Sequence, residues 1–201
     1  MLAIMADDRI VAEGIEATIL ERIGDAATQL ALWRRPLPME LDWLDALDWD
    51  AVDDIDFHAS LTGLKTAVGS QLVEAGYPSD EKGMALRDEI VAMACRFAAI
   101  LGCDWVKIRL DVIQTDACRK FHADMVIARL LTTLSGPATQ WIRAEEPDHV
   151  QQLATGDVGI FKGRLWAEDP AILHRSPPIS ASGDTRLLLV IDPFDSISGA
   201  A

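Results

Sequence analysis

Two histidines and one aspartate are the residues of this 201-residue chain whose types and spacing could hold a metal ion. His122 and Asp124 lie in Phe121-His122-Ala123-Asp124. Side chains two apart project from one face of an extended strand, so both can converge on a single point. His174 follows 52 residues later, at the end of a strand-like segment and just before Arg175-Ser176-Pro177-Pro178. Two imidazoles and a carboxylate on three corners of an octahedron leave open positions on Fe(II), where a co-substrate and dioxygen bind together. The same donors also accept zinc, so residue type does not choose between the two ions. An ion pair from Asp124 to Arg129 or Arg119 is the structural alternative.

A second chemical signal is Arg186, which opens the apolar run Leu187-Leu188-Leu189-Val190-Ile191. An unpaired charge entering a β core is prohibitive, so this side chain needs a partner. The planar guanidinium offers two parallel hydrogen bonds to a carboxylate. A dicarboxylate whose other end chelates the metal would supply it; Asp157, Asp184 and Asp192 are the protein's own alternatives. Arg129, Thr132, Gln140, Trp141 and Arg175 are further candidates for the pocket or for substrate contact, with Gly136–Trp141 read as a hairpin turn. Cys118 precedes His122 by four residues. On a straight strand that is about 13 Å, too far for both to ligate one ion. His58 and His149 sit in polar or loop-like stretches and are not expected as ligands.

The elements that must position these residues differ between the two halves. Residues 9–24 carry Ile10, Val11, Ile15, Ile19, Leu20 and Ile23 at helical spacing, with Gly24 as a stop. Thr28–Trp33 reads as a short strand, and 39–56 as an acidic amphipathic helix or two short ones, with seven Asp and one Glu. Residues 61–83 read as a helix flanked by glycine-bearing loops. Residues 85–101 form the clearest helical pattern, ended by Gly102. Beyond it, β-type segments follow at 104–113, 118–124, 126–134, 138–142, 157–161, 171–175 and 186–191, divided by turn residues. That texture predicts an antiparallel sandwich or barrel. The expected class is α+β: a mainly helical region, 1–102, with an early short strand, packed on a jelly-roll-like, cupin-like β core, 103–201, that carries the metal site.

Composition narrows the function. Acidic residues outnumber basic ones 32 to 18, for a net charge of −14. General nucleic-acid binding is excluded, because phosphate contacts require clustered Lys and Arg. The initial apolar run Met1–Ala6 has neither a basic leader nor the length of a signal sequence. No stretch approaches the roughly 20 apolar residues that span a bilayer. Three cysteines without CxxC spacing argue against a disulfide scaffold. A cytoplasmic protein is expected, open to homodimer formation through edge strands and tryptophans.

The order His-x-Asp, Gly156-Asp157-Val158-Gly159-Ile160-Phe161, His174 and Gly183-Asp184-Thr185-Arg186 resembles the double-stranded β-helix core of Fe(II)/2-oxoglutarate-dependent dioxygenases over about residues 104–192. The resemblance implies that His122, Asp124 and His174 hold iron and that Arg186 binds the far carboxylate of 2-oxoglutarate. Cys118–Asp124, Arg129–Trp141 and His174–Pro178 further resemble the bacterial family of domain of unknown function 1826. That likeness implies no established reaction, and its association with zinc-responsive gene neighbourhoods makes zinc a rival occupant. The expected function is a non-haem Fe(II)/2-oxoglutarate oxygenase acting on a small molecule or another unknown substrate. The alternatives are a cupin-like zinc-binding protein of metal homeostasis and a non-catalytic protein that docks a partner through 39–56.

Overall fold

Strands with apolar side chains at successive positions require a sheet covered on both faces, and the second half of this chain builds one. The computed structural model describes residues 9–116 and 119–194. Its strands are β1 (Val11–Gly14), β2 (Leu30–Trp33), β3 (Ile55–Ser60), β4 (Trp105–Ile113), β5 (Ala128–Ser135), β6 (Gln140–Arg143), β7 (Gln151–Gln152), β8 (Val158–Lys162), β9 (Ile172–Arg175) and β10 (Arg186–Pro193). Seven form a large sheet in the order β1-β2-β8-β5-β10-β4-β3, and three form a small antiparallel sheet in the order β7-β6-β9. The pair β1/β2 is parallel. The other pairs of the large sheet are antiparallel.

Two α-helices, α1 (Leu64–Glu74) and α2 (Glu81–Leu101), cover one face of the large sheet. Asp80 caps α2 by accepting a hydrogen bond from the Lys82 N–H, and Gly102 closes it in the left-handed conformation, φ 67°. Against this helical layer lie Val106, Ile108 and Leu110 of β4, Leu130 of β5, Ile160 of β8, and Leu187, Leu189 and Ile191 of β10. The intervening positions Leu131, Phe161, Leu188 and Val190 face the other way. They pack with Leu30, Leu32, Ala138, Trp141, Leu153 and Ile172 in a second core that includes residues of the small sheet. The large sheet is therefore the middle layer, with helices behind it and the small sheet in front.

Several local expectations change. The helix expected at 9–24 is instead β1 followed by a 3-10 helix, Ala17–Gly24. Helical apolar spacing loses here to parallel pairing of Val11–Gly14 with Leu30–Trp33 at the sheet edge. The region before residue 102 thus supplies three strands to the large sheet, where one short strand was expected. The acidic stretch forms two short 3-10 helices, Met39–Ala46 and Trp49–Ala51, and Leu41 and Leu44 are buried; its end enters β3. Of the strand expected at 118–124, the described residues 119–124 form none. His122 makes a single bridge with His174, and the loop after it satisfies its carbonyls through the N–H groups of Gly163–Leu165. Cys95 and Cys103 are free, whereas Cys118 and the run Met1–Ala6 lie outside the described residues. No helix among the described residues is long and apolar enough to cross a membrane.

Gly83, in the first turns of α2, is buried against a carbonyl. A Cβ built there would lie 1.6 Å from the Pro78 oxygen. Alanine normally strengthens a helix over glycine by about 1 kcal/mol. Gly83→Ala is expected to do the reverse and destabilise by roughly 1–3 kcal/mol, lowering the melting temperature by several degrees. A thermal melt followed by circular dichroism checks it, and an unchanged or higher midpoint contradicts the packing described.

Candidate metal centre

The site is assembled by one backbone contact. His122 N–H donates to the His174 carbonyl at 3.0 Å, and His174 N–H returns the bond at 2.9 Å. This bridge adds the His122 segment beside β9 and holds the two imidazoles with ring centroids 4.9 Å apart. Phe161 of β8 flanks His174 at the same centroid distance. Two residues on, Asp124 brings its carboxylate between the rings: His174 Nε2 lies 3.0 Å from Oδ2 and His122 Nε2 lies 3.6 Å from Oδ1. One ligand atom from each residue lies within 4.8 Å of the others.

These atoms suit a cation better than they suit one another. His122 Nδ1 faces the Lys120 carbonyl at 2.8 Å, a contact that places the proton on Nδ1 and leaves the Nε2 lone pair free. Asp124 Oδ2 is buried and has no hydrogen bond, so the close His174 approach lacks hydrogen-bond alignment. Donors about 2.1 Å from an ion at right angles to it would be about 3 Å apart, the separation of Oδ2 from the His174 nitrogen. The residues present therefore fit a divalent metal held by two imidazoles and a carboxylate. Electrostatics divides the histidines. The hydrogen-bonding Asp124 carboxylate raises the His122 pKa above the ordinary imidazole value, against the opposing effect of burial. Burial lowers that of His174, with Asp124 opposing. Burial would raise the Asp124 carboxyl, but His122, His174 and Arg129 hold it far below the usual carboxylate range.

A cavity of about 530 Å³ opens beside the triad, lined by His122, His174, Arg129, Arg175, Leu131, Leu188 and Val190 among others. Arg186 sits behind its wall, fully buried. Its Nη1 donates to Ser176 Oγ at 2.8 Å, and Nη2 to Thr133 Oγ1 and Thr139 Oγ1 at 3.3 and 3.2 Å; Nε has no partner. Ser176 and Thr139 line the cavity. Among the described residues no carboxylate pairs with Arg186. Burial pushes its pKa down to about 10, offset in part by the more distant Asp111.

Arg129 lines the cavity, hydrogen-bonded to both oxygens of Asp192 at 2.7 Å and ion-paired with Asp124 at 2.6 Å. Arg175 also lines it, stacked on Phe121 at 4.2 Å and donating to Gln140 Oε1. Gln140 is not among the lining residues; its amide donates to Gln152. Trp141 is buried in the core in front of the large sheet and borders a separate pocket with Arg34 and Arg143. Thr132 points to the helical face, since its neighbour Leu131 faces the cavity. Its neighbour Thr133 meets Arg186 instead.

Sequence reasoning missed Thr133, Thr139, Ser176 and Gly163, and named Asp192 only as an alternative partner of Arg186, whereas it pairs with Arg129. The period-two series Arg186, Leu188, Val190, Asp192 was a usable signal for Asp192, placing two ionic residues on the cavity face of one strand. Gly163 allows close backbone approach: a Cβ there would lie 2.0 Å from the Val126 carbonyl and 2.9 Å from that of Asp124.

The pattern of the family described as "Protein of unknown function (DUF1826)" matches residues 15–192. No curated protein matches the sequence. A Pseudomonas putida prolyl-4-hydroxylase superposes with a TM-score of 0.51 at 13% identity, over 89% of this chain and 98% of that one. The dioxygenase for auxin oxidation of rice gives 0.49 at 12% identity, over 87% and 77%. Its Arabidopsis thaliana counterpart, in complex with 2-oxoglutarate, gives 0.45 at 9%, over 80% and 74%. At 13% identity the likeness to the prolyl-4-hydroxylase is one of fold.

Two outcomes follow from the geometry. A metal at the triad must displace a proton from His122, whose raised pKa starts that competition at a higher pH than for free imidazole. Affinity for a divalent ion should therefore fall on acidification from pH 8 to 6, by about tenfold per unit below that pKa; a metal titration at several pH values measures it. Gly163→Ala should push the Asp124–Val126 backbone outward and weaken metal binding by about tenfold or more. Unchanged affinity in the folded variant would show that the loop is not held as described.

Proposed function

This chain belongs to the DUF1826 family, and we propose that it is a non-haem Fe(II)/2-oxoglutarate-dependent oxygenase acting on a small molecule. One observation carries the reading. The two histidines of a His-Asp-His cluster line a cavity whose wall also holds Thr139 and Ser176, the hydroxyl partners of a fully buried arginine that has no carboxylate partner among the described residues. Each is costly alone. Both are satisfied by a divalent cation and a dicarboxylate that reaches from it to Arg186.

His122 Nε2, His174 Nε2 and Asp124 Oδ2 would hold the metal. Arg186, steadied by Thr133, Thr139 and Ser176, would receive the far carboxylate, and the two hydroxyls that line the cavity can donate to it as well. Iron with 2-oxoglutarate and dioxygen supplies an oxidative decarboxylation, placing one oxygen atom in succinate and the other in the substrate. Leu131, Leu188 and Val190 keep one wall of the cavity apolar and limit the access of water. His122, the most exposed of the three at 38% of its side chain, marks the side on which the site is open. Arg175, immobilised by Phe121 and Gln140, adds positive charge at that side.

The test is aerobic incubation of the iron-loaded protein with 2-oxoglutarate, with succinate measured against time. Turnover is expected, together with a rise in melting temperature on adding 2-oxoglutarate to metal-loaded protein. His174→Ala should abolish both metal retention and turnover. Arg186→Met should retain metal and lose the 2-oxoglutarate-dependent thermal shift. Tight zinc binding without turnover or any thermal shift from 2-oxoglutarate would overturn the oxygenase in favour of a zinc-binding protein.

A further inference from the structure

Arg129 makes two hydrogen bonds in one direction and an ion pair in another. Nε and Nη2 grip both oxygens of Asp192 at 2.7 Å. Nη1 reaches Oδ1 of Asp124 at 2.6 Å. The first direction lies within the large sheet: Leu130 of β5 pairs with Ile191 of β10, so Arg129 and Asp192 are the next residues along those strands. The second leaves the sheet for the loop that carries His122 and Asp124. An arginine that merely fastened β5 to β10 would be satisfied by the bidentate pair. Here the remaining nitrogen lies in an ion pair with a carboxylate of the candidate metal centre. Arg129 and Asp192 are both well shielded, with side chains 17% and 10% exposed, so the fork is held in place on a rigid strand pair.

The two oxygens of Asp124 are thereby given different environments. Oδ1 takes the guanidinium, and Oδ2 is left buried without a hydrogen bond, next to His174 Nε2. We propose that Arg129 is a positioning residue that reserves Oδ1 and so makes Asp124 a one-oxygen ligand. The inference rests on the metal-site reading above and extends it to how many positions the site keeps open. With one carboxylate oxygen and two imidazoles, the protein would supply three donors to an ion, whereas a carboxylate binding through both oxygens would supply a fourth. The smaller donor set would leave more of the ion open to a co-substrate. The backbone of the ligand loop is held through the Asp124, Val126 and Ile127 carbonyls, whereas the orientation of the carboxylate itself is set from the sheet by Arg129.

The experiment is a cobalt(II) titration of the full chain, reading the dissociation constant and the visible d–d spectrum, for wild type, Arg129→Met and Arg129→Lys. Wild type is expected to bind cobalt. Arg129→Met should weaken binding by about tenfold or more and alter the spectrum, because a carboxylate freed to rotate changes coordination. Arg129→Lys keeps the charge without the fork and should fall between the two in affinity, also with an altered spectrum. A folded Arg129→Met protein with wild-type affinity and spectrum overturns the inference, even if its melting temperature is lower, since that loss would mark a purely structural strut. If Arg129→Met does not fold, Arg129→Lys decides by the same criteria. Absence of cobalt binding by the wild-type chain would instead overturn the metal-site reading itself, and this inference with it.

Discussion

Everything chemical in this molecule depends on the reciprocal backbone bridge between His122 and His174. It joins two segments 52 residues apart and needs no side chain to form. Once it exists, both imidazoles leave neighbouring backbone positions, and Asp124 two residues along is brought to them. The bridge persists because β9 is already held by β6 in the small sheet, and because the other side of the loop is tied to Gly163–Leu165 at the end of β8. A site made from loop residues thus gains the rigidity of the two sheets that flank it.

The cavity gathers several shielded charges. Behind the large sheet the core is built of apolar side chains, with Phe97 and Tyr77 among them. In front of it lie Asp124, Arg129, Asp192 and Arg186, all partly or fully buried. Three of them neutralise one another through the Arg129 fork. Arg186 does not: among the described residues its hydrogen-bond partners are three hydroxyls. Removing a guanidinium from water without an anion disfavours its charged form and lowers its pKa. On the proposed function, a ligand carboxylate would supply the missing charge. The opposed shifts of His122 and His174 have a related cause: both lie beside the Asp124 carboxylate, which prevails at part-exposed His122 and is outweighed by burial at His174.

Much of this was legible in the chain. The helix ending at Gly102, the β texture after it, and the set His122, Asp124, His174 and Arg186 were all visible as residue types in recognisable spacing. The misses have physical causes. The segment 9–24 has helical apolar spacing, yet Val11–Gly14 is claimed by an edge pairing with β2 that no local pattern records. Thr132 and Thr133 look alike in sequence, but a shift of one residue along a strand exchanges the cavity face for the helical face. Residues 119–124 look extended because they are extended in part, yet a single bridge replaces a ladder there.

By itself the sequence determined the donor types, the alternation that demands a sheet covered on both sides, and the presence of an arginine at the head of an apolar strand. These are properties of side chains and of their local period. Only the tertiary structure decided that the donors meet, that Arg129 divides its grip between Asp192 and Asp124, and that Arg186 finds no carboxylate of its own. Those outcomes depend on strand register and on pairings between distant segments, and the free energy of such contacts is not carried by any one stretch of chain.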